Sequence, residues 1–195
     1  MNKISYALGM SIAHNILASG VKDFNAEDFS KALEAVINGQ KTEMTLDEAQ
    51  NLLNDYFTKI QQEQIQEFKA AGETFLAENA KKEGVVTLPS GLQYKVIKEG
   101  TGAKPTATDV VECHYEGKLI NGVVFDSSYQ RGQTATFGVN QVIQGWVEAL
   151  QLMNEGSKWQ LFIPYNLAYG ESGAGQQIPP YAALIFDVEV IKIVK

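Results

Sequence analysis

The spacing of hydrophobic residues divides the chain into two parts with different predicted structure. Over residues 1–84 apolar positions recur at helical spacing. The first such series consists of Ile4, Leu8, Ile12 and Ile16. Over residues 85–195 apolar and polar residues alternate in short runs, which predicts strands. We therefore predict a helical region at 1–84 and a strand-rich domain at 85–195.

Three helices are predicted in the first part. Asn25 is a suitable cap for the second helix, and Thr45 with Glu48 forms the T-x-x-E capping box that opens the third. The third pattern contains no proline, and a continuous helix to Glu83 would be about 60 Å long at 1.5 Å per residue. After Gln61 its apolar residues are sparse, so we expect a solvated arm that weakens or bends at Gly72.

The first two helices and the start of the third form too small a unit to bury their apolar stripes well. A second copy of the chain would cover them, so we predict a homodimer through residues 1–60. The alternative is a monomeric three-helix bundle.

The second part predicts an α+β domain. Asn121-Gly122 lies between two apolar runs and indicates a hairpin with a type I′ turn. A single helical pattern runs from Gly145 to Met153 among the strands. Several antiparallel strands with one short helix predict a curved antiparallel sheet wrapped around that helix. The pattern has no βαβ alternation, which argues against a Rossmann fold or a TIM barrel.

Composition narrows the functional classes. The 195 residues carry a net charge of -7 and no basic run, which argues against nucleic acid as a partner. No apolar stretch approaches membrane-spanning length. A single cysteine and the absence of a signal-peptide pattern favour a cytoplasmic protein, or a periplasmic one if a signal peptide has been trimmed.

Most candidate reactive groups have an ordinary structural interpretation. Cys113 and His114 are neighbours on a predicted strand, so their side chains point to opposite faces and form no nucleophile–base pair. His14 and His114 lack partners at metal-ligand spacing, and no cofactor motif is present. The serines that follow Asp126 have no base to activate them and indicate a turn.

The second part is rich in aromatic residues: Tyr115, Phe125, Phe137, Trp146, Tyr169, Tyr181 and Phe186. A hydrophobic core is the ordinary reason for such a set. Asp126, however, needs a partner if it lies beside an apolar site, and Arg131 and the Tyr115 hydroxyl are candidates. Tyr169 falls in a glycine-flanked loop from which its hydroxyl can point into a cleft. Together they predict an apolar pocket with a few polar groups.

Six sequence blocks in the second part resemble the FKBP family of prolyl isomerases. They are Val111-Glu-Cys-His-Tyr-Glu-Gly, Val124-Phe-Asp-Ser-Ser, Val142-Ile-Gln-Gly-Trp, Leu167-Ala-Tyr-Gly, Ile178-Pro-Pro and Leu184-Ile-Phe-Asp-Val-Glu-Val. Their order and spacing match the family over residues 88–195. The helical first part resembles the bacterial Mip-like and FklB-type subgroup, whose members dimerise through that region.

The resemblance implies a role for each pocket residue. Trp146 would form the floor, and Asp126 would lie at the rim, positioned by Arg131 and Tyr115. The Tyr169 hydroxyl and the Ile143 backbone N–H would donate to a ligand carbonyl. The walls would be Tyr115, Phe125, Phe137, Val142, Ile143 and Phe186, with Ile178 on a loop that closes over the proline.

The closing loop departs from the common family pattern Gly-His-Pro-Gly-Ile-Ile-Pro-Pro. Ala174 replaces the histidine and Gln177 replaces the first isoleucine, so a more polar rim is predicted. The implied partners are proline-containing unfolded proteins, with macrolides of the tacrolimus and rapamycin type as inhibitors.

Two functions follow from this interpretation. The first is catalysis of X-Pro bond rotation, which makes or breaks no covalent bond and needs no metal or cofactor. The second is a proline-binding holdase with little catalytic role.

Overall fold

The computed structural model describes residues 1–194 and has the predicted division into helices and strands. Three helices come first: α1 (Lys3–Ala18), α2 (Ala26–Ile37) and α3 (Leu46–Asn79). The strands are β1 (Val85–Thr87), β2 (Gln93–Lys98), β3 (Val110–Leu119), β4 (Val124–Ser127), β5 (Ala135–Gly138), β6 (Lys158–Ile163) and β7 (Leu184–Val194). Two short helices, α4 (Ser128–Arg131) and α5 (Gln144–Leu150), lie between strands.

The chain divides into two compact units, residues 1–63 and 64–195, and the division falls within the sequence of α3. The change from helix to strand comes later, at Val85. A domain limit at residue 84 stays a prediction. None of the helices formed by residues 1–194 is both long and apolar enough to cross a membrane.

The predicted helix caps of the first unit are confirmed. The Asn25 side chain accepts hydrogen bonds from two backbone N–H groups at the start of α2. The Thr45 hydroxyl accepts from the Glu48 N–H at 3.2 Å, and a Glu48 carboxylate oxygen accepts from the Thr45 N–H at 2.8 Å. This reciprocal pair satisfies donors that the start of α3 would otherwise leave free.

The last turns of α3 are not a solvated arm, so that part of the prediction is wrong. Phe75 packs against Phe162 of β6 with ring centroids 6.0 Å apart. Gly72 is buried, and a Cβ added there would lie 3.2 Å from Ala183 Cβ. Gly72 therefore permits close packing of helix and loop, and α3 continues through it without interruption. α3 has 34 residues and ends at Asn79, giving about 51 Å, not the predicted 60 Å.

The strands form one antiparallel sheet in the order β1-β2-β6-β7-β3-β4, with β5 also paired to β3. Alternate residues of β3, β6 and β7 face α5 and form the core. α5 approaches β6 closely, because an added Cβ at Gly145 would lie 2.6 Å from Ile163 Cγ2. The predicted sheet wrapped around one short helix is confirmed.

The hairpin between β3 and β4 is present, but its turn type was predicted wrongly. A type I′ turn needs positive φ at both central residues. Tyr181 is the one non-glycine residue with positive φ among residues 1–194, so Asn121 does not meet that requirement. The Gly122 N–H donates to the Leu119 carbonyl, and the Leu119 N–H donates to Val123. With Gly122 at φ 87°, this pattern is a three-residue turn with a bulge.

Candidate active site

Three aromatic rings surround the indole of Trp146 on α5. Its ring centroid lies 5.4 Å from Tyr115, 5.6 Å from Phe137 and 5.3 Å from Phe186, and each pair is nearly perpendicular. Phe125 extends the group through Phe186, at 5.5 Å. Edge-to-face contacts of this kind are favourable beyond the area they bury. The structure thus brings together the predicted floor and four of its predicted walls, and we call these five residues the aromatic cluster.

The aromatic cluster depends on a glycine in β3. A Cβ added at Gly117 would lie 2.6 Å from Phe125 Cε2 and 2.6 Å from Phe186 Cε1. Real Cβ atoms do not approach that closely, so the two rings occupy space that only glycine leaves open. The sequence analysis did not single out Gly117, although a glycine inside a strand pattern is a recognised sign of close approach.

Trp146 is more deeply buried than several of the residues predicted to form the walls around it. Trp146 is only 3% exposed, whereas Phe125, Phe137, Val142 and Ile143 are half-buried. Val142 and Ile143 immediately precede α5. The Ile143 N–H donates no hydrogen bond among residues 1–194, so a backbone donor stands unused beside the rings.

A polar network adjoins the rings. The Tyr115 hydroxyl donates to Asp126 at 2.5 Å, Arg131 Nη2 donates to the Tyr115 oxygen at 2.9 Å, and Arg131 Nη1 pairs with Asp126. Burial is the largest influence on the Asp126 pKa and raises it. The hydrogen bonds from Tyr115 and Arg131 and the Arg131 charge together outweigh burial and hold that pKa below its ordinary value. The predicted partners of Asp126 are confirmed.

Tyr169 lies in an irregular loop, as predicted, and is 39% exposed. Its hydroxyl donates no hydrogen bond within the part of the chain that the structure describes. Partial burial, and then the negative charge of Asp126, raise the pKa of Tyr169. The phenol therefore stays protonated at neutral pH and keeps a proton to donate.

Two backbone hydrogen bonds between Ala174 and Ile178 stabilise the predicted closing loop. The Ala174 N–H donates to the Ile178 carbonyl at 2.9 Å, and the Ile178 N–H donates back at 3.1 Å. The Ile178 side chain is buried among the core residues. The Tyr181 ring pairs with Tyr165, with centroids 5.0 Å apart.

Cys113 and His114, which the sequence analysis rejected as a nucleophile–base pair, have ordinary structural environments. Cys113 faces the core, where burial raises the pKa of its thiol to about 12. His114 faces the other side and stacks on Tyr129 at 4.7 Å. The two side chains are on opposite faces, as predicted. Residues 1–194 contain no cluster of three or more His, Cys, Asp or Glu side chains suited to a metal ion.

Ser128 supports the polar network and was missed as a functional candidate. Its buried hydroxyl accepts from the Tyr115 N–H at 2.7 Å and donates to the Tyr115 carbonyl at 3.1 Å. This bond fixes α4, which carries Arg131, to the β3 backbone beside Tyr115. No sequence signal distinguishes this serine from Ser127, which caps α4.

Two family descriptions match the chain. "FKBP-type peptidyl-prolyl cis-trans isomerase" matches residues 101–191, and "Domain amino terminal to FKBP-type peptidyl-prolyl isomerase" matches residues 1–96. The chain belongs to the FKBP family of peptidyl-prolyl cis-trans isomerases. It is therefore an isomerase of the FKBP type, and the aromatic cluster lies within the matched catalytic region.

Relatives of this FKBP-type chain match over nearly its whole length. The 22 kDa FKBP-type isomerase of Escherichia coli strain K12 is 44% identical over 97% of this chain and 93% of the relative. Outer membrane protein MIP of Legionella longbeachae is 41% identical over 100% of this chain and 86% of the relative. The crystal structure of FkpA from Escherichia coli has a TM-score of 0.81 at 30% identity, covering 98% and 95% of the two chains.

Proposed function

We propose that the aromatic cluster binds the proline of an X-Pro bond and that the residues at its rim accelerate rotation. One observation carries this assignment. Two donors without an internal partner lie near the aromatic cluster and its polar network: the Ile143 N–H, whose residue packs against the core that contains Trp146, and the Tyr169 hydroxyl, which lies close enough to Asp126 for that charge to raise its pKa. In this proposal the rings of Trp146, Phe137 and Phe186 receive the pyrrolidine ring, and the donors hold the neighbouring carbonyls.

The chemistry of rotation fits such a site. Twisting an amide costs about 18–20 kcal/mol because resonance between nitrogen and carbonyl is lost. The twisted state has less charge separation than the planar one, so an apolar site disfavours the planar ground state more. Donors placed for the twisted geometry add to that difference. Each 1.36 kcal/mol of differential binding gives about a tenfold rate increase.

Asp126 acts in this proposal through position and charge. Its lowered pKa keeps it ionised, and its bonds to Tyr115 and Arg131 hold all three side chains in one arrangement. Tyr115 is thereby fixed against Trp146 at the floor. Partial burial and, to a smaller extent, the Asp126 charge raise the pKa of Tyr169 further above neutrality.

The proposed assignment is tested by a protease-coupled assay on a proline peptide. A fragment of residues 64–195, which keeps the second half of α3 that packs on the sheet, should match the full chain on a short peptide. On a refolding protein limited by proline isomerisation, the fragment should be slower if residues 1–63 recruit clients. A full chain that suppresses aggregation of a proline-free client but isomerises nothing would favour the holdase function.

We also propose that residues 1–60 form a homodimer. No residue of α1 or α2 is buried within the described chain. Ile4 is 74% exposed, and Leu8, Leu33 and Leu53 are also exposed. Uncovered apolar side chains in such number mark an interaction surface, and a second copy of these helices supplies the matching surface.

Partners and location complete the proposal. Proline-containing unfolded chains are the proposed substrates, and macrolides of the tacrolimus and rapamycin type are proposed to compete for the same cluster. The more polar loop with Ala174 and Gln177 should weaken macrolide binding at the rim. A cytoplasmic location stays a prediction, which cell fractionation of the native organism would test.

A further inference from the structure

A cavity lies between the last turns of α3 and the sheet face that points away from α5. Its volume is 270 Å³. Phe162 and Ile185 line it, and these residues alternate along β6 and β7 with residues of the core. The cavity is therefore on the opposite side of the sheet from the aromatic cluster, and the proposed isomerisation makes no use of it.

The cavity has an apolar interior. Phe75 of α3 and Phe162 of β6 stand with ring centroids 6.0 Å apart and interplanar angle 51°. Ile185 adds an aliphatic wall. Pockets for drug-sized ligands usually have volumes of about 300–1,000 Å³, so this one suits a ligand with one or two fused rings.

Its rim is positively charged in a chain whose net charge is -7. Three lysines line the cavity: Lys82, Lys95 and Lys118. Lys118 is paired with Asp187 at 3.1 Å. Within the described residues neither Lys82 nor Lys95 has a carboxylate within 4.0 Å, and Lys82 Nζ lies 5.7 Å from the centre of the Phe75 ring. Two unpaired cations at an apolar cavity favour an anion attached to an apolar body.

A buried acceptor lies at the same cavity. Asn79 lines it and is only 1% exposed. Its Nδ2 donates to Gln93 Oε1 at 3.0 Å, which fixes the orientation of the amide. Its Oδ1 accepts no hydrogen bond from residues 1–194. A buried acceptor without a donor is costly, so a ligand N–H or O–H at this point would be favourable.

We infer that this cavity binds a small aromatic carboxylate that carries an N–H or O–H donor. The ligand ring packs against the cavity walls formed by Phe162, Ile185 and the edge of Phe75. Lys82 and Lys95 hold the carboxylate, and the donor meets Asn79 Oδ1. An indole carboxylate has all three features, with its ring N–H as the donor. The site is separate from the isomerase site, and either can be present without the other.

The inference is tested by titrating the isotope-labelled full chain with three probes and recording amide and lysine resonances. The probes are indole-3-acetate, its neutral primary amide and its 1-methyl analogue. Indole-3-acetate should bind with a Kd on the order of 0.1–1 mM and shift the resonances of Phe162 and Ile185. The amide should bind about tenfold more weakly, and the 1-methyl analogue about threefold to tenfold more weakly.

Two variants complete the test. The double change Lys82→Gln and Lys95→Gln should weaken indole-3-acetate binding about tenfold, whereas Lys104→Gln in an exposed loop should leave it unchanged. Absence of binding, shifts at Trp146 instead of Phe162, equal affinity for the amide, or insensitivity to the double change would each overturn the inference. Equal affinity for the 1-methyl analogue would remove Asn79 from the site and with it the proposed ligand class.

Discussion

The Tyr115 hydroxyl lies 2.5 Å from a carboxylate oxygen of Asp126. Arg131 bonds to both residues, and its guanidinium carbon lies 5.5 Å from the centre of the Tyr115 ring. The ring of Tyr115 in turn contacts Trp146 edge-on. Tyr115 thus connects the charged network at the surface to Trp146 at the apolar floor. A substitution of Asp126 should therefore alter the position of Tyr115 in the pocket.

Replacing Asp126 by alanine should lower kcat/KM for a proline peptide about tenfold or more, because Tyr115 and Arg131 lose a charge-assisted partner. The measurement is a protease-coupled isomerase assay. Asp187→Ala is the matched control, since Asp187 is also paired with a cation but lies on the opposite sheet face. Equal losses in the two variants would mean that Asp126 has no special role.

Replacing Tyr169 by phenylalanine should lower kcat/KM about threefold to tenfold, since one neutral hydrogen bond to the substrate is removed.

The wild-type rate should be nearly constant between about pH 6 and 8. The pKa of Tyr169 is raised and that of Asp126 is lowered, so both groups titrate outside that window. A bell-shaped profile centred near neutrality would instead indicate proton transfer during rotation.

Replacing Gly117 by alanine should destabilise the second unit by about 1–3 kcal/mol, because the added methyl group would overlap the rings of Phe125 and Phe186. Calorimetry or denaturant unfolding measures the change. An added Cβ at Gly9 has nothing within 4 Å, so Gly9→Ala should leave the unfolding of the second unit unchanged. An unfolding transition that is unchanged in Gly117→Ala would contradict this expectation and show that the Phe125 and Phe186 rings move to accommodate the methyl group.

Replacing Leu8 by glutamate should shift the full chain from dimer to monomer, because a charge would be buried in the proposed interface. Analytical ultracentrifugation at several concentrations measures this. Val123→Glu adds the same charge at an exposed turn of the second unit and should leave the dimer intact. A wild-type chain that sediments as a monomer throughout would refute the dimer and favour the three-helix bundle.

The sequence predicted those features that depend on local pattern. The helix caps at Asn25 and Thr45, the alternation of β3 and the grouping of rings around Trp146 all follow from residue type and spacing. The partners of Asp126 were found by asking what a carboxylate beside an apolar site requires.

The features that were missed depend on packing between distant segments. The end of α3 appeared solvated because its apolar residues are sparse, yet Phe75 packs against Phe162 and Gly72 allows the close approach to Ala183. No local pattern reports such long-range geometry. The Asn121-Gly122 turn is a local difference: both residue types accept positive φ, but only Gly122 adopts it.

The most direct test of the isomerase site uses the indole N–H resonances of its two tryptophans. Both indole nitrogens, in Trp146 and Trp159, are buried without a hydrogen-bond partner among residues 1–194. Trp159 stacks on Tyr94 at 4.2 Å and is the internal control. With a proline peptide present, the Trp146 resonance should shift, Trp159 should not, and a trace of protein should broaden the exchanging cis and trans signals of the peptide. Exchange broadening with a static Trp146 resonance would contradict the account.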